Sequence, residues 1–169
     1  MSDKTKVAVV GATGYAGFEL ARLLLRHPQI EKPIFFVRGE HANVRCLTEI
    51  FPQLRGWGEA RCMPLSAEAI AKSGANVVFL STPHEASLEL VPELLAENPK
   101  LRVVDLSGAL RFREPQTFAE WYKLAPANQG TLSEAVYGLP ELYADALPKA
   151  RLVANPGCYA TSVILGLRP

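Results

Sequence analysis

The chain has 169 residues, 49% of them apolar and 21% charged, with a formal net charge of +1. These are the proportions of a soluble globular protein of one ordinary domain. The near-neutral charge gives no electrostatic reason to expect nucleic acid or an anionic membrane as a partner, and no apolar run approaches the length needed to span a bilayer.

The opening residues, Met1-Ser2-Asp3-Lys4-Thr5-Lys6, lead directly into a strand-like run, which argues against a signal peptide. Lys6 to Val10 reads as a first strand, and Gly11-Ala12-Thr13-Gly14-Tyr15-Ala16-Gly17 follows at once. Tyr15 to His27 carries apolar residues at helical spacing (Phe18, Leu20, Ala21, Leu24, Leu25), and Pro28 stops that helix. Pro33 to Val37 is the second strand. The stretch from Arg38 to Leu65 has little periodicity, with Arg61 to Leu65 a weak strand candidate. Asn76 to Ser81 is a compact apolar strand, Glu85 to Glu97 a helix, and Arg102 to Leu106 and Arg151 to Ala154 two further strands. Prolines and aromatic residues between Phe112 and Leu147 indicate a long excursion. Continuous apolar strands separated by amphipathic helices predict a doubly wound α/β fold with a parallel sheet covered on both faces. The strand order stays open.

Three glycines spaced by two residues, placed between a strand and a helix, form a phosphate loop. The first permits a tight turn, the second admits a close approach of backbone to pyrophosphate, and the third lets helix and strand pack together. Free N–H groups at the helix start then hold the anion. The loop as a whole, Gly11, Ala12, Thr13, Gly14, Tyr15, Ala16 and Gly17, is therefore a candidate dinucleotide site. An acidic residue at the end of the second strand would select NAD. The sequence instead has Val37-Arg38-Gly39, and the Arg38 guanidinium suits the 2′-phosphate of NADP.

Asn155-Pro156-Gly157-Cys158 follows the last strand and precedes an apolar run from Ser162 to Leu167. Pro156 and Gly157 force a turn, which places Cys158 at a helix N-terminus, where the helix dipole and free N–H groups favour a thiolate. The same N–H groups are able to stabilise an oxyanion on an acyl group under attack. A nicotinamide and a cysteine at the carboxyl ends of the strands point to a thioester that a hydride reduces to an aldehyde. A buried structural cysteine is the alternative. Cys46 and Cys62 lack such a context and read as structural. The three cysteines have no metal-ligand spacing and cannot all pair in one chain, which fits reduced thiols in the cytoplasm.

Taken together, the glycine loop, Ser81-Thr82-Pro83-His84, Asp105-Leu106-Ser107, Tyr137-Gly138-Leu139-Pro140-Glu141-Leu142 and Asn155-Pro156-Gly157-Cys158-Tyr159 resemble, in that order, the N-acetyl-gamma-glutamyl-phosphate reductases of arginine biosynthesis. The resemblance implies NADPH-dependent reduction of N-acetylglutamyl 5-phosphate to the 5-semialdehyde, with release of phosphate. It implies that Cys158 is the nucleophile and that Ser81, Thr82 and Pro83 lie near the nicotinamide. It further implies substrate contacts from Ser107, Arg111 and Asn155, with the Arg111 guanidinium a candidate phosphate clamp and Arg113 its alternative. No metal is implied. Reduction of a related acyl phosphate (aspartyl or aminoadipyl) and a non-catalytic NADP-binding module are the competing readings.

Ala109-Leu110 stands where that family commonly has Asp-Phe, and Ala160 where a proline is common. Family members continue into a second α+β domain, which supplies a catalytic histidine, much of the substrate pocket and the contacts of a homo-oligomer. The expectation is thus an NADP-binding domain over residues 1–155. Residues 156–169 would form the cysteine turn and the start of a second domain cut short at Pro169, leaving the chain by itself inactive. His84 is a weak candidate for acid–base chemistry.

Overall fold

The computed structural model describes Lys4–Arg168. Expectations resting on Met1–Asp3 and on Pro169 lie outside the described residues. The chain packs as two compact units, one comprising Met1–Ser81 and Glu93–Leu101, the other Thr82–Pro92 and Arg102–Pro169.

The first unit begins with strand β1 (Val7–Val10), all four residues of which are buried. Helix α1 (Tyr15–Leu25) follows the glycine loop and buries Gly17, Ala21 and Leu24, a stripe at the helical period. It ends at Arg26, two residues before Pro28, because the residue ahead of a proline is already driven out of the helical region. Strands β2 (Ile34–Val37) and β3 (Cys62–Pro64), helix α2 (Ala67–Lys72) and strand β4 (Val77–Leu80) complete this unit. The pairings β3-β2, β2-β1 and β1-β4 are all parallel. The chain thus winds outward from β1 through β2 to β3, then returns to lay β4 on the other side of β1. Val7, Val9, Phe35, Val37, Leu47 and Leu54 belong to the buried core of this unit. The weak strand expected at 61–65 is real, whereas α2 was not expected.

Helix α3 (His84–Glu97) starts in the second unit and contributes its last residues to the first. The second unit then holds strand β5 (Arg102–Asp105), helices α4 (Pro115–Tyr122) and α5 (Gln129–Glu134), strand β6 (Val136–Tyr137) and helix α6 (Pro140–Tyr143). Strand β7 (Leu152–Ala154) and helix α7 (Cys158–Leu167) complete it. β7 pairs in parallel with both β5 and β6. The long excursion therefore contains three short helices and a two-residue strand, which the proline-rich sequence concealed. Phe118, Leu132 and Leu139 from this segment are fully or almost fully buried. The α/β class with parallel strands, expected from sequence, is the class observed.

Candidate active site

The loop after β1 is built around two glycines that admit no side chain. Gly11 has φ +82°, and a Cβ there would sit 2.1 Å from the backbone oxygen of Ser81 at the end of β4. A Cβ on Gly17 would lie 2.2 Å from the Gly11 oxygen, so the start of α1 rests directly on the loop. Gly14 differs. It is exposed, and its nearest neighbour to a Cβ is an ordinary 3.7 Å away. It serves as the N-cap of α1, without any side-chain cap. The Tyr15, Ala16 and Gly17 N–H groups of the first turn therefore lack intrahelical acceptors, and they lie beside an open backbone. Ala12 is buried under the loop, Thr13 half-buried, and Tyr15 97% exposed. Because β1 has its outgoing connection on one side and β4 on the other, this loop lies at the switch point where open α/β sheets bind ligands. The residues fit a pyrophosphate.

Arg38 follows β2 directly, is exposed, and precedes a short 3-10 turn over Gly39–His41. Its guanidinium has no hydrogen-bond or ion-pair partner among the described residues. Glu40, two residues on, faces His41 at 3.4 Å.

In the second unit, α7 starts at Cys158 with Gly157 as its N-cap, and no side chain caps it. Cys158 is exposed. The turn that presents it is braced from two directions. Arg111 donates from Nε to the Asn155 carbonyl at 2.8 Å and from Nη2 to the Leu106 carbonyl at 3.0 Å. Its Nη1 lies 3.1 Å from where a Gly157 side chain would start. Gly138, from the Tyr-Gly-Leu-Pro-Glu-Leu segment, packs on the other side. A Cβ there would meet Val153 Cγ1 at 2.8 Å and Asn155 Cα at 3.2 Å, and its N–H donates to the Ala154 carbonyl. The Asn155 side chain donates to the Pro156 carbonyl at 3.1 Å.

Ser107 is buried, and its hydroxyl is already engaged. It donates to Asp105 Oδ2 at 2.7 Å and accepts from the Ala109 N–H at 3.0 Å. Thr82 is half-buried and its hydroxyl contacts that of Ser87 at 2.8 Å, while Pro83 is exposed. His84 Nδ1 accepts from the Gly108 N–H at 2.8 Å, and its ring stands edge-on to Tyr122. Tyr122 in turn fills the space a Gly108 side chain would need. His84 thus anchors the loop after β5. Sequence reasoning missed the roles of Ser87, Gly138 and Tyr122, although the motifs containing Gly138 and Asp105 marked their neighbourhoods.

Of the other cysteines, Cys62 is buried, and burial pushes its thiol up to about 12, with Cys46 and Glu49 adding to the shift. Cys46 is half-buried against the Thr48 hydroxyl. Among the described residues no cluster of His, Cys, Asp or Glu is arranged to hold a metal ion, and no helix is long and apolar enough to cross a membrane.

The chain is 43% identical over its whole length to an N-acetyl-gamma-glutamyl-phosphate reductase of Thermosynechococcus vestitus and covers 47% of that protein. It is 44% identical over 97% of its length to the reductase of the same name from Desulfotalea psychrophila, of which it covers 46%. The chain therefore spans about half the length of the curated relatives it matches. Among solved structures, aspartate semialdehyde dehydrogenase with NADP from Candida albicans superposes with a TM-score of 0.66. That match has 14% identity and covers 98% of this chain and 46% of the other, a likeness of fold. The family model for the semialdehyde dehydrogenase NAD binding domain matches residues 6–150, and the chain belongs to that family of nicotinamide-dinucleotide-binding domains.

Proposed function

We propose that this chain is the NADP-binding and cysteine-bearing part of an N-acetyl-gamma-glutamyl-phosphate reductase. The observation that carries the reading is Cys158, exposed as the first residue of α7, on a turn braced by Arg111 and Gly138. Identity above 40% over 97% or more of this chain to two reductases of that name supports the substrate.

Gly11, Ala12, Thr13, Gly14, Tyr15, Ala16 and Gly17 hold the pyrophosphate through first-turn N–H groups, and Ser81, Thr82 and Pro83 lie by the nicotinamide. Arg38 reads the 2′-phosphate and so selects NADP over NAD. The Cys158 sulfur attacks the acyl carbon. A C–S bond forms, the C–O bond to phosphate breaks, and phosphate leaves with the electron pair of that bond. First-turn N–H groups of α7 are the donors available to the oxyanion. Arg111 holds the turn through Nε and Nη2 and offers Nη1 to the departing phosphate. Asn155 contributes to the substrate site, and Ser107 shapes it through the loop it ties down. The cofactor, when bound, supplies the hydride that converts the thioester to aldehyde, and the C–S bond breaks to return the thiolate.

The remainder of the full-length protein supplies the general base and covers α7, whose Tyr159, Val163, Leu165 and Leu167 are exposed. It assembles as a cytoplasmic homo-oligomer, with residues 156–169 opening the second domain, and this chain alone does not turn over. The test is phosphate release and NADPH oxidation by the full-length protein given N-acetylglutamyl phosphate. Cys158→Ser is expected to abolish both, and activity retained in that variant would overturn the assignment.

A further inference from the structure

The loop after β5 is tied down by groups that all belong to the second unit. The Ser107 N–H donates to Asp105 Oδ1 at 3.1 Å, and the Ala109 N–H donates to the Ser107 hydroxyl at 3.0 Å. Between them, the Gly108 N–H donates to His84 Nδ1 at 2.8 Å. An Nδ1 that accepts carries no proton, so the neutral ring bears its proton on Nε2. His84 is itself held firmly. It is the first residue of α3, three residues ahead of the fully buried Ser87, and its ring stands edge-on to Tyr122 with centroids 4.7 Å apart. Tyr122 stacks in turn on the buried Phe118 at 4.8 Å, and its hydroxyl fills the space a Gly108 side chain would need. Gly108 then fixes Arg111. The Gly108 carbonyl accepts from the Arg111 N–H at 3.4 Å, closing a turn whose middle residues, Ala109 and Leu110, are buried. From that turn the Arg111 guanidinium reaches the Leu106 and Asn155 carbonyls, and its Nη1 lies beside Gly157, the N-cap of α7. The N–H groups of Ser107, Gly108 and Ala109 are spent within the loop, so the guanidinium is what the turn presents at the cysteine.

We infer that His84 is a positioning residue for acyl transfer to Cys158, acting through the Gly108–Arg111 turn to hold the Arg111 guanidinium at the N-terminus of α7. The inference rests on the reductase reading above. It gives His84 no proton to move and no contact with substrate. What counts is the lone pair on Nδ1. Without it the Gly108 N–H is left unpaired, and the turn loses the bond that sets where Arg111 departs from the backbone. A guanidinium displaced by about an ångström no longer meets a departing phosphate in the right place, and misplacement on that scale is costly to rate.

The measurement is kcat/KM of the full-length protein for N-acetylglutamyl phosphate. His84→Phe keeps a ring against Tyr122 but removes the acceptor, and is expected to lower kcat/KM about tenfold to a hundredfold. His84→Asn, whose Oδ1 stands where Nδ1 does along the side chain, is expected to stay within about threefold of wild type. In an Arg111→Ala background the His84→Phe change should cost less than about threefold, because the group it positions is gone. A purely structural role would cost the same factor in both backgrounds. If His84→Phe does not fold, His84→Leu, close to asparagine in size and shape, is read against His84→Asn in its place. Wild-type kcat/KM without the acceptor, an Asn variant equally impaired, or equal factors with and without Arg111 overturns the inference. A wild-type protein that does not reduce N-acetylglutamyl phosphate overturns the reductase reading, and the inference with it.

Discussion

The glycines of the phosphate loop have different jobs, and substitution separates them. Gly17→Ala drives a methyl group to 2.2 Å from the Gly11 oxygen, a contact that only backbone movement relieves. We expect it to cost about 2–3 kcal/mol in chemical denaturation. Gly14→Ala meets nothing closer than 3.7 Å and should change stability by no more than about 0.5 kcal/mol, while weakening dinucleotide binding measured by fluorescence titration. The cysteines separate in the same way. Cys62 keeps its proton in the folded state up to about 12, from an ordinary value of 9.0. The unfolded chain loses that proton first, so the stabilisation is complete below pH 9 and is lost as pH rises from there towards 12. Denaturation of wild type and Cys62→Ala across that range should show the steeper alkaline loss in wild type, and equal slopes would contradict the burial argument. These distinctions were only partly legible in sequence. The spacing of the glycines marked the loop, but that Gly11 is sterically obligatory depends on Ser81, seventy residues later.

Elements fix how the second unit holds the cysteine turn. Helix α4 starts at Pro115, a residue preorganised for the first helical position, and ends at Lys123 in the left-handed region with φ 56°. A glycine carries no Cβ penalty there, so Lys123→Gly should stabilise the protein by about 1 kcal/mol, read as a rise in Tm. Glu134 at the end of α5 pairs with Arg151 just before β7, and the hydrogen bond from Arg151 holds its carboxyl below the ordinary value of 4.5. That contribution is present above the ordinary value and is lost as pH falls through the lowered one. Glu134→Gln should therefore flatten the acid limb of the stability profile. The four-residue apolar strands and α1 were readable because continuous apolar runs and helical periodicity leave strong patterns. Strand β6 was not, since two residues carry no period. Yet it runs into the Tyr-Gly-Leu-Pro-Glu-Leu segment at Tyr137 and brings Gly138 against Asn155.

At the scale of the whole molecule, the chain covers about half the length of its curated relatives, and this sets what its residues explain. In the proposed function, the phosphate loop and Arg38 account for a dinucleotide, and the Cys158 turn for a nucleophile. His84 Nδ1 accepts from the Gly108 N–H, so its ring anchors the loop after β5. Arg111 shows the limit of motif reading. Sequence marked it as a phosphate clamp, whereas its two backbone hydrogen bonds make it first a brace for the turn, a role that becomes visible only when β5 and β7 lie side by side. The central claim is that Cys158 carries the acyl group. It is tested most directly by quenching the full-length protein with N-acetylglutamyl phosphate in the absence of cofactor and mapping the adduct by mass spectrometry. The account predicts a stoichiometric N-acetylglutamyl thioester on Cys158, formed with equal release of phosphate and discharged as aldehyde when NADPH is added. An adduct on another residue, or acylation that persists in Cys158→Ser, would contradict it.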